Sequence, residues 1–253
     1  MKRVFALVLA ASFFLTGCLE NTEEINLNAD GSGTVITTSD LSSVISMAKQ
    51  MGAGSKEMEV FDQTINKTID LSSKADSIPD LTDEEKVLLK KGILNMKMDG
   101  KANEYYTKIS FPFSNPEQIS SYSKVTGKVF GSMLKEQMAS NPTAGGMGGQ
   151  DLPEFSTFND YYKLSFEKGE LKKSLNKEKY AQLENDAYLK SLKEAAGMGI
   201  PVTTTYIINL PSPATKVEGK NAKLSDDKMK VTVKVSIDDF YDNPESLEFK
   251  IKY

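Results

Sequence analysis

Apolar and polar residues alternate along roughly the last fifty positions of the chain, with the two-residue period of a β-strand. The alternating series run from Val202 to Leu210, from Val231 to Ile237, and from Leu247 to Tyr253. Each strand therefore has one apolar face and one face suited to water, as in an antiparallel sheet with one solvated side. A polar stretch over 221–228 predicts a turn region between the first two series.

Three earlier pairs of strand-like segments are separated by turn residues, which predicts three β-hairpins. Their turns are Asp30-Gly31, Asp99-Gly100 and the stretch 167–170. A further strand is predicted between Phe61 and Leu71, where the apolar residues keep an even spacing.

Four segments have the apolar spacing or the end signals of α-helices. They run from Asp40 to Gly52, from Thr82 to Gly92, from Asn115 to Asn141, and from Lys177 to Ala196, the last as an exposed, charge-rich helix. Gly127 and Gly131 form a GxxxG motif in the longest helix, which predicts close packing against a neighbouring strand or a kink. The whole pattern predicts one α+β domain over 23–253, an antiparallel sheet covered on one face by two or three helices, with a flexible glycine-rich loop at 143–150.

The N-terminus has the three parts of a signal peptide. Lys2 and Arg3 are followed by an apolar run over 4–15 and then by Leu15, Thr16, Gly17 and Cys18. The apolar run has twelve residues, fewer than the roughly 20 that an α-helix needs to cross a bilayer. We therefore expect this segment to be removed rather than to stay as an anchor.

The order Leu15, Thr16, Gly17, Cys18 resembles the lipobox of bacterial lipoproteins. The resemblance implies that residues 1–17 are removed, that the Cys18 thiol carries a diacylglyceryl group, and that the new amino group accepts a further acyl chain such as palmitate. Two or three such chains make attachment to a membrane effectively permanent. The alternative interpretation is an ordinary secretory signal followed by a chance cysteine.

We expect residues 18–22 to form the lipidated cysteine and a short tether, which places the folded domain close to the bilayer. Leu19 stands where, by resemblance to the enterobacterial sorting rule, an Asp would retain a lipoprotein in the inner membrane. Because Leu19 is not Asp, we expect the protein in the outer membrane if the cell has two membranes. In a cell with one membrane, we expect it on the outer face of the cytoplasmic membrane.

Composition removes several classes of function. The chain has no His and one Cys, so catalytic groups that use imidazole, internal disulfides and cysteine-rich metal sites are excluded. Cleavage before Cys18 leaves 29 basic against 35 acidic residues, a formal charge of −6. An acidic domain gains no electrostatic attraction to nucleic acid or to anionic headgroups, so we expect no nucleic-acid partner.

The charged clusters have structural interpretations. Asp226-Asp227, and Asp238-Asp239 with Asp242, are candidates for a carboxylate pair in glycoside hydrolysis or for a hard-cation site, but turn and helix-cap roles are preferred. The four lysines of another cluster are predicted to line a solvated face; they are Lys172, Lys173, Lys177 and Lys179. The first hairpin turn has part of the spacing of a calcium loop, but Thr37 stands where that loop has Glu, so a plain turn is preferred.

Both ends of the mature chain resemble LppM-type envelope lipoproteins, and also uncharacterised lipoproteins of Bacteroidetes-like bacteria. The resemblance rests on Cys18, on the strand with Asn-Ala-Asp-Gly-Ser-Gly at 28–33, and on Leu-Pro-Ser-Pro-Ala-Thr-Lys-Val-Glu at 210–218 before the closing strands. It implies a lipid-anchored α+β module, a class in which some members handle envelope lipids or glycolipids. Ser212-Pro213 and the absence of Trp depart from the pattern, and no catalytic residue or cofactor comes with it.

Two functions remain. The chain is expected to be a non-enzymatic membrane-anchored lipoprotein that binds an envelope lipid or another hydrophobic ligand between its sheet and its methionine-rich helices. The alternative is a structural or scaffolding component that contacts other cell-envelope proteins. A large cavity would favour the first function, and an exposed apolar patch beside a filled core would favour the second.

Overall fold

A computed structural model of the chain describes residues 19–51, 62–78, 81–140, 155–167 and 169–253. The predicted signal peptide, the lipobox from Leu15 to Cys18 and the glycine-rich loop at 143–150 lie outside the described residues. Within them the fold is α+β, with mostly antiparallel sheets and covering helices, as the sequence predicts.

Eight strands form the larger sheet, in the order β10-β11-β8-β1-β2-β5-β4-β3. Their bounds are β1 Leu19–Leu27, β2 Gly33–Asp40, β3 Thr64–Asp70, β4 Ile93–Asp99, β5 Glu104–Phe113, β8 Val202–Asn209, β10 Ala222–Leu224 and β11 Lys230–Ser236. All neighbours are antiparallel except β1 and β8, which are parallel. The predicted hairpins β1-β2 and β4-β5 are confirmed.

A second sheet has the order β6-β7-β12-β9 and is antiparallel throughout. Its strands are β6 Tyr162–Glu167, β7 Glu170–Leu175, β9 Lys216–Glu218 and β12 Phe249–Lys252. The third predicted hairpin is therefore confirmed as β6-β7. The closing strand β12 pairs here and not with β8 and β11, so the last two alternating series belong to different sheets.

The helices run α1 Ser42–Met51, α2 Asp83–Leu89, α3 Gln118–Ser140, α4 Lys177–Tyr180, α5 Ala187–Gly197 and α6 Ile237–Asp242. The ring of Tyr122 on α3 stacks on Phe111 of β5 at 4.5 Å, and α5 contacts β8. The predicted capping box opens α2, where the Thr82 hydroxyl accepts from the Glu85 N–H and the Glu85 carboxylate accepts from the Thr82 N–H. Among the described residues, none of the helices has the length and apolar character needed to span a bilayer.

Strand β1 begins four residues earlier than the domain boundary that the sequence suggests. Leu19 already pairs with Val202 and Glu20 with Asp40, so the residues expected to form a tether lie in the sheet. The alternation was hidden because two of the inward positions at the start of β1 hold Asn21 and Glu23 instead of apolar residues. The folded domain therefore starts directly after Cys18 in the sequence.

The predicted helix from Lys177 to Ala196 is also wrong, because it is divided into α4, a 3-10 turn and α5. The Asp186 side chain accepts a hydrogen bond from the Leu189 N–H and so starts a new helix. Leu183 in the turn and Leu189 in α5 are both buried, so this segment is part of the core and is not simply a solvated face.

The GxxxG motif is a packing site on α3, but its partner is the irregular segment that begins at Phe155 and not a strand. A Cβ on Gly127 would overlap the carbonyl oxygen of Phe155, whereas a Cβ on Gly131 would make an ordinary 3.5 Å contact with the Phe155 ring. Only the first of the two glycines is therefore required for the close approach of the segment that begins at Phe155.

We expect Gly127→Ala and Gly131→Ala to change stability in opposite directions. The first forces backbone apart and is expected to lower the free energy of unfolding by about 1–3 kcal/mol. The second removes a flexible helical residue and is expected to raise it by up to about 1 kcal/mol. Urea unfolding of the two variants measures both effects, and equal effects would show that Phe155 does not approach α3 at Gly127.

Candidate functional site

The inward face of the larger sheet changes from apolar to polar along β1. Ile25 and Leu27 are buried in the core, whereas the preceding inward positions are Asn21 and Glu23. On the neighbouring strands, polar side chains lie directly opposite Asn21 and Glu23. We call the six residues the polar patch; the other four are Thr37, Ser39, Thr204 and Tyr206. The polar patch lies at the end of the sheet where the chain leaves Cys18.

Glu23 belongs to a buried polar bridge that joins the two sheets. The Asn159 side-chain amide donates to Glu23 Oε2, and Lys173 Nζ of β7 donates to Asn159 Oδ1 at 2.6 Å. Glu23 is 6% exposed and Lys173 is 4% exposed. We call these three residues the buried bridge.

Aromatic rings complete the surroundings of the Lys173 side chain. Its Nζ lies 3.6 Å from the centroid of the Tyr206 ring and 5.1 Å from that of Tyr162. A cation over an aromatic face is attracted by the ring quadrupole, and most strongly when water is excluded. The rings therefore replace part of the hydration that the ammonium loses on burial.

A short 3-10 turn at Phe158–Tyr161 positions Asn159 between the sheets. The carboxylate of Asp160 accepts from the Thr157 N–H at 2.7 Å, which fixes the start of the turn. The alternation of side chains along β7 positions the lysine, because Lys173 points inward between the exposed Lys172 and the half-buried Ser174. Local chain geometry therefore presents both partners to Glu23.

Burial shifts the pKa values of both charged groups toward their neutral forms. Loss of hydration raises the pKa of Glu23, and the nearby Lys173 and the Asn159 hydrogen bond partly oppose that rise. Loss of hydration also lowers the pKa of Lys173 from 10.5 to about 7, against the attraction of Glu23. The bridge is the place in the described structure where a lysine titrates near neutrality.

Two cavities are lined by both Glu23 and Asn159 of the buried bridge. The smaller, of about 20 Å³, lies between the sheets and is lined by Glu23, Asn159, Lys173 and Tyr206 among others. That volume holds about one water molecule. The larger is a cleft of about 130 Å³ between the polar patch of the sheet and the segments that cover it. Glu23, Asn159 and Tyr206 line both cavities.

The cleft combines apolar walls with a polar floor. Its apolar side chains include Phe155, Phe158, Tyr188, Leu189 and Leu192, and the Phe155 and Tyr188 rings lie 4.9 Å apart. The floor is the polar patch of β1, β2 and β8. Such a cleft suits a compact molecule with an apolar body and at least one hydrogen-bonding group.

The structure corrects the prediction for the lysine cluster. Lys172, Lys177 and Lys179 are exposed, but Lys173 is buried in the bridge. Leu171 and Leu175 lie two residues before and after Lys173, on the same face of β7. This two-residue spacing was a signal in the sequence that Lys173 points inward. Glu23 has the same relation to Ile25 and Leu27 on β1.

Asp227 and Asp239, one residue from each acidic pair, have the turn and helix-cap roles that the sequence favoured. Asp239 forms a capping box with Ser236 at the start of α6. Asp227 accepts from the Ser225 hydroxyl and the Met229 N–H in a turn, and Asp30 accepts from the Ser32 N–H at 2.9 Å in the first hairpin turn. Within the described ranges, no group of three or more acidic or cysteine side chains is placed to hold a metal ion.

No protein-family model, no curated protein and no solved structure matches the chain. We therefore argue its function from the polar patch, the buried bridge and the cleft.

The lowered pKa of Lys173 predicts a dependence of stability on pH. Between its folded value of about 7 and its ordinary value of 10.5, the unfolded chain holds a proton that the folded chain has released. Stability due to this group is therefore fully present above pH 10.5 and is lost as the pH falls toward 7.

We expect the free energy of unfolding of the wild type, relative to Lys173→Met, to rise with pH across this window, by up to about 1.4 kcal/mol per pH unit. Denaturant unfolding at several pH values measures the slope. Lys172→Met, on the outer face of the same strand, is the matched control and should keep the wild-type slope. A Lys173→Met variant that also keeps the wild-type slope would show that the pKa of Lys173 is not lowered in the folded protein.

Proposed function

We propose that the protein is a non-enzymatic bacterial lipoprotein, anchored to a membrane of the cell envelope through Cys18, that binds a compact, largely hydrophobic ligand in the cleft. The membrane is the outer membrane in a cell with two membranes, and the cytoplasmic membrane with the domain on its outer face otherwise. The observation that carries the proposal is the cleft itself, with apolar walls and a polar floor at the start of β1.

The position of the cleft along the chain supports a function at the bilayer. Asn21 lines the cleft and is the third residue after Cys18. An extended chain rises by at most ~3.6 Å per residue, so this edge of the cleft lies within roughly 11 Å of the cysteine. A ligand that leaves or enters a membrane would reach the cleft without crossing much water.

The size of the cleft limits the ligand. A dry cavity of about 150 Å³ accommodates benzene, whereas sites for larger organic ligands have about 300–1,000 Å³. The described walls enclose about 130 Å³. The ligand is therefore a molecule, or the end of a molecule, about the size of one six-membered ring, and not a whole diacyl lipid.

The scaffolding alternative lacks a docking patch in the described part of the chain. The large apolar side chains that are exposed there lie on or beside four separate elements: Val87, Ile93, Met198 and Leu224. Single exposed apolar residues are normal on a soluble domain and do not mark an interface. Ligand binding is therefore the better supported function.

Native mass spectrometry of the full-length protein, released from the membrane fraction in detergent, tests both parts of the proposal. We expect the mass of the chain from Cys18 onward with acyl groups attached, together with a small non-covalent adduct. Thr204→Phe should retain the acyl mass and lose the adduct, because residue 204 lines the cleft and the larger side chain fills it.

Thr205→Phe is the matched control, since residue 205 lies on the opposite face of the same strand and should keep the adduct. A protein without acyl mass would contradict the anchor. An adduct that survives equally in both variants, or is missing from repeated wild-type preparations, would contradict binding in the cleft.

A further inference from the structure

Two polar groups on the floor of the cleft have unused hydrogen-bonding capacity. Glu23 and Tyr206 are directly opposite each other in the parallel pairing of β1 and β8, and both line the cleft. Glu23 Oε2 accepts from Asn159, but among the described residues no donor reaches Oε1. Within the same ranges no hydrogen bond of the Tyr206 hydroxyl is found, and none contributes to the pKa of that group.

The two groups differ in what they offer to a ligand. Burial and the nearby Glu23 hold the pKa of Tyr206 well above its ordinary value, so its hydroxyl keeps its proton and can donate it. Glu23 Oε1 offers lone pairs and accepts. The residues that offer an acceptor and a donor are therefore neighbours on the floor.

Charge restricts the ligand further. Glu23 and Lys173 are joined through Asn159, and their charges balance when both groups are ionised. A cationic ligand therefore meets no uncompensated negative charge, and an anionic ligand meets the carboxyl group of Glu23 first. A neutral ligand loses the least hydration on entering this site.

We propose that the cleft recognises a neutral, hydroxyl-bearing ligand whose alcohol or phenol group lies between Glu23 and Tyr206, donating to Glu23 Oε1 and accepting from the Tyr206 hydroxyl. This inference rests on the proposed function and adds the chemical class of the ligand. A hydroxyl group both donates and accepts, so it satisfies the two floor groups at once. An ammonium group only donates, and it would leave the Tyr206 proton unmatched.

The walls of the cleft indicate that the rest of the ligand is apolar. Phe155, Tyr188, Leu189 and Leu192 offer aromatic and aliphatic surface above the floor. A ring-sized apolar body that carries one hydroxyl group fits both the walls and the floor. Sites that bind a ligand hydroxyl through buried polar groups discriminate against the analogue that lacks it, because those groups then stay unpaired.

Phenol and toluene are suitable probes, since they share a ring and differ by one hydroxyl or methyl group. Each is titrated into the full-length protein in lipid nanodiscs, and the methyl signals of Leu189 and Leu192 report binding by NMR. We expect Tyr206→Phe to weaken phenol binding about tenfold and to leave toluene binding unchanged, as for the loss of one buried hydrogen bond. Because the wild type and the variants are compared in identical nanodiscs, partitioning of the probe into the bilayer affects all apparent affinities equally.

Tyr106→Phe is the matched control, because residue 106 lies on the outer face of β5 and should bind phenol as the wild type does. If Tyr206→Phe weakens both probes equally, or neither, while both still bind the cleft, the hydroxyl inference is overturned and the proposed function stands. If neither probe shifts the cleft signals of the wild type, both the inference and the binding function are overturned.

Discussion

Burying a lysine and a glutamate between two sheets is the constraint on which the rest of this structure depends. Removing a charged group from water costs several kcal/mol unless a partner with good geometry compensates. Here compensation comes from the Asn159 amide and from the face of the Tyr206 ring. Glu23 comes from the larger sheet, Lys173 from the smaller, and Asn159 from the turn between α3 and β6, so the charges are satisfied only when all three segments are in place.

The same constraint explains why a cleft exists beside the bridge. A polar floor on β1 cannot be covered by the apolar side chains that pack over Ile25 and Leu27, because its groups need hydrogen-bond partners. The covering segments leave space above Glu23 and Tyr206 instead. Since β1 starts directly after Cys18, this space lies at the end of the domain that the lipid anchor holds to the bilayer under the function that we propose.

Local signals in the sequence predicted the local parts of this fold. The capping box at Thr82, the hairpin turns and the long helix all depend on residues that are near each other in the chain. The division of the closing strands between two sheets and the pairing of β1 with β8 depend on contacts between distant segments, which no periodicity reports. The buried bridge was missed because a charged residue breaks the apolar alternation, although the parity of Glu23 with Ile25 and of Lys173 with Leu171 was readable.

A double-mutant cycle on Glu23→Gln and Lys173→Met measures the coupling across the buried bridge most directly. Each single variant leaves the other charged group buried without its balancing charge, whereas the double variant removes both. The account predicts that the loss in unfolding free energy of the double variant is smaller than the sum of the single losses by about 1–3 kcal/mol. If the loss of the double variant equals the sum of the single losses to within about 0.5 kcal/mol, the two groups do not interact across the sheets.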